Sequence, residues 1–351
     1  MPLGGFVCHL MIRAKIIFLF VSVLLLAAAL LPSCQQGVSP ELVVYTSVDQ
    51  VFSEPILKIF EEQSGIRVLP VYDVEAAKTT GLVNRLIAEK KRPRADVFWN
   101  GEFAQTIMLK EKGVLSPYVS PNAINIPPRY VDTEGYWTGF AGRGRVLLVN
   151  TKLVPADNYP RSIFDLIGDR WPASRIGIAY PLFGTTATQA AALYAVLGPE
   201  KGRAFYKELH GRGVRVVDGC SVVRDMVAGG QLMMGLVDTD DAIGAIEAGA
   251  PVSMVFPDQD DMGTLIIPNT VALIAGAPHP NEAKAFIDFL LSPEVAGLLV
   301  NSGWSHIPLR PTDPQSSSIV ASNIRGMNVT LDAVYKQRDL IKKDLSEIYI
   351  Q

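Results

Sequence analysis

Three carboxylates stand within four residues in the segment Asp238–Thr239–Asp240–Asp241. Carboxylates this close together repel one another unless a cation or hydrogen-bond donors lie between them. Asp238, Asp240 and Asp241 are therefore candidates to hold a hard cation through oxygen, with Asp240 and Asp241 as its ligands, or to pair with an organic ammonium group. The alternative is an exposed loop in which Asp241 caps the next helix.

A second segment, Gly184–Thr185–Thr186, precedes an apolar stretch at 187–197 that predicts a helix. Glycine lets the backbone approach a ligand closely, and a helix start offers free N–H groups and the positive end of the helix dipole. Thr185 and Thr186 are therefore candidates to bind an anion. Helix capping alone is the other interpretation.

Two further positions offer positive charge. Lys78 and Thr79 stand where a helix over 79–90 is predicted to begin, which again suits an anion or a simple threonine cap. Arg143 and Arg145 are two residues apart on a predicted strand and so share a face. If that face lines a ligand site, the Arg143 guanidinium could clamp a phosphate or carboxylate; a structural salt bridge is equally open.

Polar side chains also follow two predicted strands. Ser47 ends the first strand, and Asn100 follows the third. Hydroxyls and amides just past a strand end suit hydrogen bonding to a small polar ligand. For Ser47 and its neighbours, capping of the next helix is the alternative.

The elements that carry these residues form two α/β series. Strands at 42–47, 66–72 and 95–99 alternate with helices at 52–64 and 79–90, which favours a parallel sheet covered by helices. The pattern then restarts without a sequence repeat. The later elements are strands at 143–150, 176–179, 213–217, 232–237 and 270–275, helices at 187–197, 221–229 and 281–291, and a helical tail at 324–350. Two α/β lobes predict a ligand in the cleft between them.

Composition narrows the class of protein. The chain has 351 residues, of which 48% are hydrophobic and 19% charged, as in an ordinary globular protein of two domains or lobes. A formal net charge of -3 argues against a nucleic-acid partner. Three cysteines, two of them within the first 34 residues, rule out a disulfide framework, and the four histidines show no metal-binding spacing.

Residues 11–34, MIRAKIIFLFVSVLLLAAALLPSC, have the order of a secretory signal peptide: a basic head, an apolar run and a small residue before the cut. The cysteine that follows, Cys34, resembles the lipidation site of bacterial lipoproteins. This predicts a leader at 1–33, a linker at 34–40 and a protein lipid-anchored in the cell envelope, in the periplasm or on the outer face of the cytoplasmic membrane. An uncleaved membrane anchor is the alternative, although the run is shorter than the ~20 apolar residues that usually span a bilayer.

Four stretches resemble extracellular solute-binding proteins of ABC importers, in the branch of ferric-ion-binding proteins and their phosphonate- and sugar-phosphate-binding relatives. The stretches are VVYTSVDQVFSEPILKIFEEQSGIRV, ADVFWNGE, SIFDLIGDRWPASRIGIAYP and IPNTVALIAGAPHPNEAKAFIDFLLSPEV. The resemblance implies the type II periplasmic-binding-protein fold, two α/β lobes that close on a ligand, with the chain crossing near Phe140 and returning near Ile267. It divides the chain into lobe 1, residues 41–140 with 267–311, and lobe 2, residues 141–266 with 312–351.

The resemblance also implies a function. It predicts a monomeric, non-enzymatic binding component that delivers its solute to an ABC permease and its ATPase subunits. The transported ligand would be ferric iron or another hard cation with a synergistic anion, and no catalytic cofactor is expected. One departure matters: Asp240 and Asp241 stand where ferric-binding relatives have two tyrosines.

That departure keeps other ligands and classes open. An organic anion, such as a phosphonate or phosphate ester, is the alternative ligand. A secreted hydrolase is a rival class, but the sequence has neither a Gly-x-Ser-x-Gly nucleophile elbow nor a His-Glu metal pattern. A receptor that binds the same solute for signalling fits the same sequence.

Overall fold

The computed structural model describes residues 40–73, 80–301, 307–310 and 324–350. Cys34, Lys78 and Thr79, three of the predicted site residues, lie outside these described residues, as does the predicted leader. Among the described helices, none combines the length and apolarity needed to cross a bilayer.

Eleven strands are present in the described ranges. They are β1 (Glu41–Thr46), β2 (Arg67–Tyr72), β3 (Val97–Asn100), β4 (Leu115–Ser116), β5 (Thr138–Asn150), β6 (Ile176–Ala179), β7 (Arg215–Val217), β8 (Met234–Asp238), β9 (Val252–Val255), β10 (Ile266–Ile274) and β11 (Ile307–Pro308).

The same ranges contain eleven α-helices. They are α1 (Gln50–Ser64), α2 (Thr80–Glu89), α3 (Ala104–Glu111), α4 (Gly184–Leu197), α5 (Pro199–Gly211), α6 (Cys220–Ala228), α7 (Thr239–Glu247), α8 (Pro280–Leu290), α9 (Pro293–Asn301), α10 (Leu331–Lys336) and α11 (Arg338–Tyr349). Short 3-10 turns lie at Pro121–Ala123, Pro128–Tyr130, Ala156–Asn158, Ile163–Ile167 and Ala173–Arg175.

Helix α1 illustrates how the sequence fixes these elements. Ile56, Leu57 and Phe60 recur at helical spacing and are buried. Gly65 ends the helix with a φ of 70°, which a residue without a Cβ adopts easily, and its N–H donates to Glu61 O. The buried ring of Phe60 packs edge-on against Phe286 of α8, with ring centroids 5.1 Å apart. Burying such a side chain contributes about 2–3 kcal/mol.

The sheet is mixed rather than parallel. Its strand order is β2-β1-β3-β10-β5-β8-β6-β7, with β4 paired to β10, and β9 and β11 to β5. The outer strands pair in parallel, β1 with β2 and β3, and β6 with β7 and β8, as the sequence predicted. The centre is antiparallel, because β5 leads the chain away from the β1–β3 side and β10 brings it back.

Strand β5 changes partner along its length. Its first half pairs with β10, where Arg143 lies opposite Ile267. Its second half pairs with β8, where Arg145 lies opposite Asp238. The two arginines therefore stand at the point where β5 passes from one half of the sheet to the other. The lobe boundaries implied by the sequence stay a prediction.

The chain ends on helix α11, which packs against α4 and α5. Tyr194 Oη donates to Asp344 at 3.1 Å, and Tyr349 Oη donates to the Tyr206 carbonyl at 3.1 Å. Tyr180 Oη in turn donates to the Tyr349 carbonyl at 3.1 Å. Helix α10, just before it, contacts both α4 and α3, where Tyr335 Oη donates to Glu111 at 2.8 Å.

Candidate functional site

Five charged residues meet where β5 changes partner. We call Arg143, Arg145, Asp238, Asp240 and Asp241 the arginine–aspartate cluster. The arginines come from β5, and the aspartates come from the end of β8 and the first turn of α7. Both guanidinium groups point toward Asp238, so the predicted common face of Arg143 and Arg145 is present.

Arg145 and Asp238 form a buried ion pair. Arg145 Nη1 donates to Asp238 Oδ1 at 2.6 Å, and the two residues are 1% and 4% exposed. Burial alone would raise the pKa of Asp238, but the charges of Arg145 and Arg143 lower it below its usual value. Asp238 is therefore a carboxylate whose charge is already matched by the protein.

The two threonines of α4 complete this pair. Thr185 Oγ1 donates to Asp238 Oδ2 at 2.8 Å and accepts from Arg145 Nη1 at 3.0 Å. Thr186 Oγ1 accepts from Arg145 Nη2 at 3.3 Å. Both oxygens of Asp238 are thus engaged within the protein, and binding of a cation by Asp238 stays a prediction. The threonine hydroxyls are engaged as well, so the backbone N–H groups of α4 carry what anion-binding capacity this helix start has.

Arg143 and Asp240 form a looser pair. Arg143 Nη1 lies 3.3 Å from Asp240 Oδ2, and the side chains are 20% and 32% exposed. Arg143 Nη2 donates to the Gly101 carbonyl at 3.4 Å, a long hydrogen bond. Arg143 Nε and Asp240 Oδ1 have no hydrogen-bond partner among the described residues. This pair retains both donor and acceptor capacity.

Asp241 stands beside that pair in the first turn of α7. Its pKa is raised to about 7, first by burial and then by the neighbouring charges of Asp240 and Asp238. Arg224 Nη1 lies 3.3 Å from Asp241 Oδ1 and partly offsets this repulsion. The N-cap position of α7 is occupied by Asp238, so Asp241 does not cap the helix. A cation placed between Asp240 and Asp241 would relieve their mutual repulsion.

Cys220, Asp238 and Asp241 offer ligand atoms within 4.8 Å of one another. Burial raises the pKa of the Cys220 thiol, so the protonated form is favoured. Arg145 Nη1 also lies 3.3 Å from Cys220 Sγ and would repel a metal ion there. Asp240 differs from these three residues in that its Oδ1 has no hydrogen-bond partner among the described residues.

A polar network at the end of β3 adjoins Arg143. Ser47 Oγ donates to Asn100 Oδ1 at 2.6 Å and accepts from the Gly101 N–H at 3.0 Å. Asn100 Nδ2 donates to Thr106 Oγ1 at 3.1 Å. Ser47 and Asn100 are buried, and Gly101 connects them to Arg143. Ser47 and Asn100 are thus linked through Gly101 to Arg143 and the arginine–aspartate cluster, although the roles of these predicted residues stay a prediction.

Sequence reasoning gave no role to Asn269, Gly101 or Arg224. Asn269 lies on β10, is 1% exposed, and donates from Nδ2 to the Ala141 carbonyl at 3.0 Å. Its signal was available, since it is the only amide side chain in the otherwise apolar strand IIPNTVALI. In the acidic segment 257–261, Asp258 is buried and accepts hydrogen bonds from the Ser162 hydroxyl and the Ile163 N–H.

Comparison with known proteins places this geometry in context. The family model described as "Bacterial extracellular solute-binding protein" matches residues 93–335. Among curated proteins, a probable ABC transporter periplasmic-binding protein of Sinorhizobium fredii is 25% identical, covering 81% of this chain and 83% of its own. The major ferric iron-binding protein of Neisseria meningitidis serogroup A is also 25% identical, covering 77% of this chain and 81% of its own.

Solved structures share the fold. Iron-bound HitA from Pseudomonas aeruginosa superposes with a TM-score of 0.74 at 23% identity, covering 87% of this chain and 99% of its own. AfuA from Actinobacillus pleuropneumoniae, with fructose-6-phosphate bound, has a TM-score of 0.70 at 23% identity, covering 88% of this chain and 98% of its own. The prediction of a two-lobe type II periplasmic-binding fold is confirmed.

Proposed function

Because the chain belongs to the family of bacterial extracellular solute-binding proteins, we propose that it is the substrate-binding subunit of an ABC importer. In this role it captures a small solute outside the cytoplasm and delivers it to a membrane permease and its ATPase subunits. The chain acts as a binding protein and not as an enzyme. The relatives described as ABC transporter and ferric iron-binding proteins support this assignment.

One observation carries the position of the ligand: the Arg143–Asp240 pair is partly exposed and keeps an unpartnered donor and an unpartnered acceptor. Buried polar atoms without partners cost about 1–3 kcal/mol each, so a ligand that satisfies them gains that energy. Arg145 and Asp238, two residues away from each of them, are more deeply buried and pair at 2.6 Å, although Arg145 Nε also lacks a hydrogen-bond partner among the described residues. The ligand therefore binds to the first pair and not to the second.

This pair gives the site two poles. Arg143 binds the anionic group. It lies close to the start of α4, since Asp238 Oδ2 is 3.9 Å from Arg143 Nη1 and 2.8 Å from Thr185 Oγ1. Asp240 and Asp241 bind the cationic group at the start of α7. Each charge-assisted contact is worth about 1.5–3 kcal/mol.

A hard cation carried together with an anion is the first ligand that fits these poles. Ferric iron is the example that relatives supply, since both the Neisseria protein and HitA are described as binding iron. Asp240 Oδ1 is an unpartnered carboxylate oxygen, and carboxylate oxygen suits a hard cation. Asp240 and Asp241 would replace the two tyrosines of ferric-binding relatives as ligands, and Arg143 would hold the anion.

An organic anion is the second candidate, and the charge balance of the site favours it. Arg143, Arg145 and Arg224 face the three aspartates, so the protein offers no excess negative charge to a bare trivalent ion. A molecule that joins an anionic and an ammonium group would match both poles without an added ion. AfuA, described with fructose-6-phosphate bound, is a structural neighbour with an organic anion.

Calorimetry on the purified protein separates these candidates. Ferric citrate and 2-aminoethylphosphonate serve as probes for the parent protein, Asp240→Asn and the exposed-loop control Asp260→Asn. We expect Asp240→Asn to weaken binding of the probe that the parent binds by roughly 10- to 100-fold, and the control to leave it unchanged. A parent protein that binds neither probe, or equal affinity in Asp240→Asn, would contradict the two-pole site.

Anchoring is the remaining part of the proposal. The sequence Leu31-Pro32-Ser33-Cys34 supports acylation of Cys34, which would hold the mature protein at the membrane surface. We expect Cys34→Ser to move the protein from the membrane fraction to the soluble fraction without unfolding it. Retention of that variant in the membrane fraction would count against the lipid anchor.

A further inference from the structure

Asn269 interrupts the pairing of the two long central strands. The register between β5 and β10 shifts between Pro268 and Thr270, so Asn269 sits in an irregularity of an otherwise buried strand. Its Nδ2 atom donates to the Ala141 carbonyl at 3.0 Å. Because only the nitrogen of the amide can donate to a carbonyl, the other end of the side chain is the acceptor oxygen Oδ1.

The Oδ1 atom of Asn269 has no hydrogen-bond partner among the described residues. Two hydroxyl groups of the surrounding strands are already in use. Ser47 Oγ donates to Asn100, and Thr270 Oγ1 donates to the Glu102 carbonyl at 3.1 Å. Leaving a buried amide oxygen in this state is unfavourable, so this side chain is placed for a partner that the described residues do not supply.

Gly101 leaves room for that partner. A methyl group added at Gly101 would lie 3.9 Å from Asn269 Oδ1 and 3.7 Å from Ser47 Oγ, both ordinary contact distances. The Gly101 carbonyl accepts from Arg143 Nη2 at 3.4 Å. The space beside Gly101, which a side chain would otherwise fill, therefore borders the Oδ1 atom of Asn269. Gly101 also contacts the guanidinium of Arg143, which forms the anionic pole.

We propose that Asn269 is a hydrogen-bond-accepting subsite that selects a ligand with an amine or hydroxyl group close to an oxyanion held by Arg143. The inference rests on the proposed binding of an anionic group at Arg143, and it narrows the ligand to small amino- or hydroxy-substituted organic oxyanions. The subsite is covered in this conformation. A ligand reaches it when the two lobes part by hinge motion.

Three phosphonates that differ at one group test this subsite. Ethylphosphonate has no donor on its second carbon, 2-hydroxyethylphosphonate has a hydroxyl, and 2-aminoethylphosphonate has an ammonium. We expect the parent protein to bind the hydroxyl compound about tenfold more tightly than ethylphosphonate, which corresponds to one good hydrogen bond. Calorimetry measures the three affinities.

Two variants remove the acceptor by different routes. Asn269→Ala deletes the amide, and Gly101→Ala covers it with a methyl group while leaving the Asn269 hydrogen bond to Ala141 in place. We expect the preference for the hydroxyl compound over ethylphosphonate to fall below about threefold in both, with ethylphosphonate affinity unchanged. The matched control is Asn150→Ala, a buried asparagine on β5 whose Nδ2 donates to the Val227 carbonyl at 2.8 Å; it should keep the full preference.

The outcome also separates this inference from the proposed function. Asp240→Asn should lower the affinity for the ammonium compound but retain the preference for the hydroxyl compound over ethylphosphonate. A preference that survives in both Gly101→Ala and Asn269→Ala overturns the subsite, even if Asp240→Asn still weakens binding. A parent protein that binds ferric citrate but none of the three phosphonates overturns it as well.

Discussion

Arg145 and Arg143 lie two residues apart on one strand and face the same carboxylate, yet their environments differ. Arg145 is 1% exposed and its terminal nitrogens bond to Asp238, Thr185, Thr186 and Cys220. Arg143 is 20% exposed and has a 3.3 Å contact to Asp240, a 3.9 Å contact to Asp238 and a long hydrogen bond to the Gly101 carbonyl. One guanidinium is consumed by the fold, and the other is available.

The two arginines show how a charged residue that stabilises the fold can be distinguished from one that is available to a ligand. A buried ion pair whose terminal nitrogens and carboxylate oxygens are all engaged adds rigidity but offers little to a ligand, because a new contact at those atoms must displace an existing one. A half-buried group with unfilled donors gains from every contact that a ligand brings. The same residue type, two positions along the strand, therefore serves a different purpose.

The largest expected effect is on stability, at Arg145. Replacing it in Arg145→Met leaves Asp238 buried without its counter-charge, and we expect a loss of about 3–5 kcal/mol in the free energy of unfolding. Urea titration followed by circular dichroism measures it. The double variant Arg145→Met/Asp238→Leu should recover much of the loss, and a single-variant loss under about 1 kcal/mol would erase the contrast between the two arginines.

Arg143 should show the opposite result. Arg143→Lys keeps the charge but removes the planar fork that binds an oxyanion through two nitrogens. We expect a roughly 10- to 100-fold loss of affinity for whichever of ferric citrate and 2-aminoethylphosphonate the parent binds, with unfolding changed by under about 1 kcal/mol. A variant that is strongly destabilised but still binds normally would show that Arg143, like Arg145, stabilises the fold and does not bind the ligand.

Thr185 tests whether a residue bonded to Arg145 and Asp238 also contacts the ligand. Its hydroxyl donates to Asp238 and accepts from Arg145, so Thr185→Val should cost about 1–3 kcal/mol of stability through two lost hydrogen bonds. Because the helix start keeps its backbone N–H groups, we expect ligand affinity to change by less than about threefold. A tenfold loss of affinity in calorimetry would show instead that the hydroxyl contacts the ligand.

The smallest effect is expected at Cys220, whose reactivity reports on the environment of the Arg145–Asp238 pair. Burial raises the pKa of its thiol, and only the thiolate reacts with alkylating reagents. We expect slow alkylation by iodoacetamide at pH 7, a rate that increases as the pH rises above the usual thiol value, and rapid reaction after unfolding in guanidinium. Peptide mass spectrometry separates Cys220 from the cysteines of the leader; full modification within minutes at pH 7 would contradict the burial of this group.

The sequence predicted most elements, and it predicted best those that carry a clear period. Strand β6 has the predicted bounds, and α1 differs from its prediction by two residues. Helix α5 was missed, although it starts with Pro199 and buries Phe205, Tyr206 and Leu209 at helical spacing. Strands β4 and β11 have two residues each, too few to form a pattern, and depend on partners distant in the chain.

The sequence analysis named the residues of the arginine–aspartate cluster but not the contacts between them. Alternation along a strand sufficed to put Arg143 and Arg145 on one face. It could not reveal that Asp238 pairs with Arg145, because that contact depends on the register between β5 and a strand about ninety residues later. The free acceptor of Asn269 depends on an irregularity in strand pairing, which no local pattern encodes.

Helix α11 affects when, during synthesis, the helices that carry Tyr194 and Tyr206 can complete their packing. Helix α11 supplies hydrogen-bond partners to Tyr194 and Tyr206, which lie on helices made about 150 residues earlier. Those earlier helices cannot reach their final packing until almost the entire polypeptide has left the ribosome, since contacts distant in sequence form late and slowly. A variant that lacks α11 would leave the Tyr194 hydroxyl and the Tyr206 carbonyl without these partners.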